Sequence, residues 1–155
     1  MENQENKLKN EAGIGGWLII VLIGLIVTPI RLSITLVRDF VPLLNSMSTL
    51  DAYPKLQTVV YIETASNLIF VILAIVLLFM MFNKDKRFPK LMIIVNVSNL
   101  IFVLADATYA SQLQVLYQVF DFVDSSKEII RAIVGTAIWV PYMLVSKRVK
   151  LTFIK

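Results

Sequence analysis

Apolar positions in this chain gather into four long blocks separated by short polar stretches. The blocks run from about Trp17 to Leu36, Val59 to Phe82, Leu91 to Ala110 and Ile129 to Val145. A helix that crosses the hydrocarbon core of a bilayer needs about 20 mostly apolar residues, and each block supplies about that many. A soluble bundle would need helices with a polar face turned to water, and the stretch from Leu68 to Phe82 has none. The pattern therefore predicts four membrane-spanning helices. Lys7 and Lys9 precede the first block as they would precede a signal peptide. That block is too long, and no small-x-small cleavage signature follows it, so it is expected to remain as a span.

Shorter apolar patterns lie in two of the connections. Phe40, Leu43, Leu44, Met47 and Leu50 recur at three-and-four spacing after the first block. Leu113, Leu116, Phe120 and Val123, with Val119 beside them, do so after the third. Such spacing predicts amphipathic helices too short to span. Pro54 is expected to help stop the first, and Ser125 with Glu128, at capping-box spacing, to start the fourth span. The fold class expected is all-α: a polytopic membrane protein with four transmembrane helices in one bundle and short amphipathic helices in its two outer connections. Residues 1–12 read as a polar cytoplasmic N-terminus and residues 13–155 as a single four-span membrane domain.

Charge orients the spans. The loop from Asn83 to Lys90 carries Lys84, Lys86, Arg87 and Lys90 against Asp85, and the tail carries Lys147, Arg148, Lys150 and Lys155 with no acid. The connection after the first span is balanced, and the one after the third is net acidic through Asp121, Asp124 and Glu128 against Lys127. The positive-inside rule then places both termini and the middle loop in the cytoplasm. Trp17, Trp139 and Tyr142 fall at the inner boundary, and Tyr53, Tyr61, Tyr109 and Tyr117 at or beyond the outer one, as aromatic belts do. The net charge of +4 is accounted for by topology, so no nucleic-acid partner is expected.

Composition narrows the chemistry. Hydrophobic residues make up 57% of the chain and charged residues 17%, which excludes a disordered or collagen-like chain. Cysteine and histidine are both absent, so thiol nucleophiles, disulfides and imidazole bases or metal ligands are excluded. Gly13, Gly15 and Gly16 precede a span and lack the strand and the lysine of a phosphate-cradling loop. No catalytic residue, cofactor or metal is expected.

Ionisable groups inside a membrane are costly and usually face the protein interior or a cavity. At about 1.5 Å per residue, Arg31 lies about 21 Å from Trp17, Asp106 about 22 Å from Leu91, Arg131 about 21 Å from Val145 and Glu63 about 28 Å from Phe82. These four fall in one outer layer, and with Asn67, Asn96 and Asn99 on the polar faces of the second and third spans they form a candidate polar interior layer. Two roles fit it: a structural lock on helix register, or an outward-facing polar cavity for a small solute, an ion or a lipid headgroup. Pro29 and Pro141 interrupt the first and fourth spans.

Two segments carry a resemblance. Gly13-Ile14-Gly15-Gly16-Trp17-Leu18, entering the first span, and the tail from Tyr142 to Phe153, reading Y-M-L-V-S-K-R-V-K-L-T-F, resemble the signatures of the family called domain of unknown function 2569, small bacterial four-span inner-membrane proteins. The resemblance implies a multi-pass protein of the bacterial cytoplasmic membrane with inward termini, and brings no activity and no site residues. Within the tail, Val149, Leu151 and Phe153 alternate with basic residues, which fits a strip along anionic headgroups or the frayed end of the fourth span. The expected function is that of a non-enzymatic accessory or interaction protein, in contact with the lipid bilayer and with another membrane protein or itself. A small transporter or channel-like protein with a solute or headgroup ligand is the alternative.

Overall fold

The computed structural model describes residues 13–45, 54–117 and 125–154. All regular structure among them is helical: α1 (Trp17–Thr35), a π-helical turn (Leu36–Phe40), α2 (Val41–Asn45), α3 (Pro54–Phe82), α4 (Phe88–Tyr117), α5 (Ser125–Val145) and α6 (Lys147–Thr152). Four stretches are long and apolar enough to cross a membrane: Trp17–Asp39, Gln57–Phe82, Phe88–Gln112 and Ser126–Val145. The protein is an all-α, multi-pass membrane protein.

The helix ends differ from the apolar blocks for local reasons. Pro54 opens α3 instead of merely closing what precedes it; at a first helical position its missing N–H has no intrahelical acceptor to lose. The backbone stays helical from α1 through the π turn into α2, with the Val41 amide donating to the Leu36 carbonyl. The first predicted amphipathic segment therefore begins, over Phe40 to Asn45, as a continuation of the first span. Likewise α4 runs on to Tyr117, so Leu113 to Tyr117 continue the third span. Met47, Leu50, Val119, Phe120 and Val123 lie outside the described residues, as do residues 1–12. Ser125 is the first residue of α5, as its spacing to Glu128 predicts.

The chain forms two compact units. One comprises residues 20–79: most of α1, the π turn, α2 and most of α3. Its buried side chains include Val21 and Leu25 on α1, and Val59, Val60, Ala74 and Leu77 on α3. The large apolar side chains Ile23, Ile30, Ile34, Ile69, Ile72 and Phe79 stay exposed. In water that would be prohibitive; in lipid it is the ordinary condition of a spanning helix.

The other unit holds residues 13–19 and 80–154 of the described chain. In it α4 and α5 pack together. Thr136 donates its hydroxyl to the Asn96 carbonyl at 3.3 Å, and Phe88 at the start of α4 stacks on Phe153 beyond α5, so the two helices run antiparallel. The buried side chains Leu18, Met81, Phe88, Met92, Met143, Val149, Thr152 and Phe153 mark the unit's best-packed region.

Candidate functional site

The best-packed region forms where the chain enters and leaves its spans. It starts with the turn between α3 and α4. The amide of Lys84 donates to the Met81 carbonyl and that of Asp85 to the Met80 carbonyl, the paired bonds that end a helix with a left-handed residue. That residue is Lys84, at φ 55°, where glycine is the usual occupant. Asp85 then makes the turn that leads into α4. Its carboxylate accepts from the Arg87 amide at 2.8 Å and its carbonyl from the Phe88 amide at 3.0 Å. The single acid of the basic loop thus holds the turn that precedes the helix.

A second piece comes from the tail, which is a separate short helix and not the frayed end of α5. Ser146 leaves α5 with extended backbone (φ −63°, ψ 121°), and its hydroxyl accepts from the Val149 amide at 3.4 Å, capping α6. With helical spacing, Val149, Thr152 and Phe153 turn inward, and Lys147 and Lys150 stay exposed. Phe153 lies on the fully buried ring of Phe88, with centroids 4.5 Å apart and planes 24° apart.

The N-terminal glycine segment closes the region. The Gly13 amide donates to Thr152 Oγ1 at 2.9 Å, and the same hydroxyl donates to the Gly13 carbonyl at 3.2 Å. Thr152 is 2% exposed, so both halves of its hydrogen-bonding capacity are met inside the protein. Arg148 crosses the next residues: a Cβ on Gly15 would lie 2.5 Å from its Nη1, and one on Gly16 would lie 3.8 Å from its Nε. Gly13 and Gly16 also have positive φ (129° and 56°), so the segment needs glycine for its backbone as well as for the approach of the guanidinium. The two segments singled out in the sequence, 139 residues apart at Gly13 and Thr152, make one structure.

The residues of the predicted polar layer are divided between the two units. Arg31, Glu63 and Asn67 belong to the unit of residues 20–79, and Asn96, Asn99, Asp106 and Arg131 to the other. Arg31 and Arg131 are exposed, and neither has an ion-pair partner among the described residues. Glu63, Asn67, Asn96, Asn99 and Asp106 are half-buried. Several polar side chains in the spans bond to their own helix: Asn96 Nδ2 to the Met92 carbonyl at 2.9 Å, Thr64 to Val60 at 2.6 Å and Thr108 to Leu104 at 2.7 Å. Such bonds satisfy a polar group in lipid without a second helix.

What sequence reasoning missed is α6. Its signal was present: a serine three residues before Val149, then apolar Val149 and Phe153 four apart.

The family model described as Protein of unknown function (DUF2569) matches residues 11–154, nearly the whole chain and both signature segments. No curated protein and no solved structure matches the chain.

Proposed function

Because the chain belongs to the family described as Protein of unknown function (DUF2569), whose description carries no activity, we propose a function from geometry: a non-enzymatic accessory protein that binds another membrane protein, or a second copy of itself, within the bilayer of the bacterial cytoplasmic membrane. Both termini and the Asn83–Lys90 turn lie on the cytoplasmic side in this proposal. The support for that orientation is the gathering of basic loop and basic tail at one end, through the Phe88–Phe153 stack.

The observation that carries the interaction role is Gly24. A Cβ placed there would meet nothing within 4 Å, while Ile20, Ile23 and Val27 around it are exposed. Glycine in a spanning helix weakens it slightly and is used where another helix must come close. Among the described residues no atom lies within 4 Å of that position. A helix of a partner, laid against the Ile20–Gly24–Val27 face, would use it.

The test is extraction into polymer-bounded native membrane discs, followed by mass determination. The expected result is a complex of fixed stoichiometry that Gly24→Leu disrupts while the chain stays folded. A monomer that, once reconstituted in vesicles, moves a small solute down its gradient would replace this proposal with the transporter alternative.

A further inference from the structure

We propose that the end of the molecule built from α6, the Asn83–Arg87 turn and the glycine segment is a binding surface for the anionic headgroups of phospholipids. Its described cations are Lys84, Lys86, Arg87, Lys90, Lys147, Arg148 and Lys150, and Asp85 is the acid among them. That acid accepts from the Arg87 amide through its carboxylate and from the Phe88 amide through its carbonyl, and its single negative charge leaves a large positive excess among the seven cations. All but the half-buried Arg148 are exposed.

Three observations favour lipid headgroups over other anions. Each cation lies within five residues of the end of a span, counted from Phe82, Phe88 or Val145, which is headgroup depth. The buried residues of α6, Val149 and Thr152, with Phe153 after it, are used up inside the protein. The helix is therefore not an apolar anchor; what it offers the membrane is Lys147 and Lys150, so its contact is electrostatic. Finally, Lys84 occupies a left-handed position that glycine would fill without strain, so a positive side chain stands there at a backbone cost. This inference does not depend on the partner proposed above, nor on which side of the membrane this end faces.

The chain carries its own reporter. Trp17 is 61% exposed and follows Gly16, the residue beside Arg148; Trp139 is the other tryptophan. In the full-length Trp139→Phe protein, reconstituted in mixed vesicles, quenching of Trp17 by brominated phosphatidylglycerol is compared with quenching by brominated phosphatidylcholine. A several-fold preference for the anionic lipid is expected. It should collapse with salt as the screening length falls from about 10 Å at 0.1 M to about 3 Å at 1 M. Exchanging exposed lysines for glutamine (Lys84, Lys86, Lys147, Lys150) should lower the preference by up to about fivefold each, the factor that corresponds to about 1 kcal/mol per basic residue at an anionic surface. Because these side chains are exposed, folding should survive; the salt titration on the unsubstituted lysines stands even if it does not. Equal quenching by the two lipids would overturn the proposal and leave the cations to topology or to an acidic protein partner. Loss of the preference on adding inorganic phosphate, but not chloride of equal ionic strength, would also overturn it, showing a compact phosphate site in its place.

Discussion

The backbone of Gly13 and the side chain of Thr152 exchange two hydrogen bonds, amide to hydroxyl at 2.9 Å and hydroxyl to carbonyl at 3.2 Å. The pair ties the entry of the first span to the last helical residue of the chain. A buried threonine at this place acts as a surrogate backbone for a glycine segment that has no strand or helix partner of its own.

Replacing Thr152 with valine keeps the shape and removes both bonds. The Gly13 amide and carbonyl then lose partners in a part-buried site, at a cost of about 1–3 kcal/mol. Thermal unfolding in nanodiscs should show that loss, and Thr152→Ser should recover most of it. Equal stability of the valine variant and the parent would mean that water replaces the hydroxyl freely.

Phe88 and Phe153 should be energetically coupled. Truncating the fully buried Phe88 to alanine is expected to cost about 3–5 kcal/mol, since the ring stacked on Phe153 leaves a cavity that collapses only in part. In a double-mutant cycle with Phe153→Ala the two costs should fall short of additivity by about 0.5–1.5 kcal/mol, the range for stacked rings. Strict additivity would contradict the stack.

Lys84 and Asp85 give opposite signs within one turn. Lys84→Gly should stabilise by about 1–2 kcal/mol by removing the left-handed penalty. Asp85→Ala should destabilise by about 0.5–1.5 kcal/mol by removing the carboxylate that accepts from the Arg87 amide. Both are measurable by thermal unfolding at low salt. An Asp85→Ala variant as stable as the parent would show that water replaces the carboxylate at the Arg87 amide.

The spans were legible because lipid imposes a length and a composition that nothing else in the chain meets. Their ends were not. Ser111, Gln112 and Gln114 look like a break in hydropathy, yet they are compatible with helix, so α4 carries straight on to Tyr117. Period alone cannot say whether a polar interruption divides one helix or two. At the packed end, both segments were visible as motifs, but their pairing was not, because a contact between Gly13 and Thr152 leaves no local trace in either. The alternation of Val149, Leu151 and Phe153 with basic residues leaves the tail's conformation open; the serine cap and the inward Val149, Thr152 and Phe153 make it a helix. The charged residues of the predicted layer were placed by depth alone, and depth says nothing of which side of its helix a residue occupies. Arg31 and Arg131 are exposed.

Orientation is open to direct labelling, since the chain has no cysteine of its own. Lys86→Cys lies in the basic turn and Gln112→Cys at the opposite end of the third span, and both positions are exposed. An impermeant maleimide on intact cells should label Gln112→Cys and reach Lys86→Cys only after permeabilisation. The reverse pattern would invert the proposed topology.

Gly15 and Gly16 should fail for different reasons, and Arg148 tells them apart. At Gly15 an alanine Cβ would sit 2.5 Å from Arg148 Nη1, while its φ lies outside the left-handed region. The obstacle is the far end of a flexible side chain, so Gly15→Ala should be mild and should act by pushing the guanidinium aside. At Gly16 the added Cβ would meet Arg148 no closer than 3.8 Å, but φ is 56°, so alanine there should cost about 1–2 kcal/mol from the backbone itself. In an Arg148→Ala background the Gly15→Ala cost should vanish. The Gly16→Ala cost should persist, additive with Arg148→Ala to within about 0.5 kcal/mol. Thermal unfolding of the three single and two double variants against the parent decides it. A Gly15→Ala penalty that survives the loss of Arg148 would show that the glycine segment is constrained by its backbone path throughout and that the guanidinium merely rests on it.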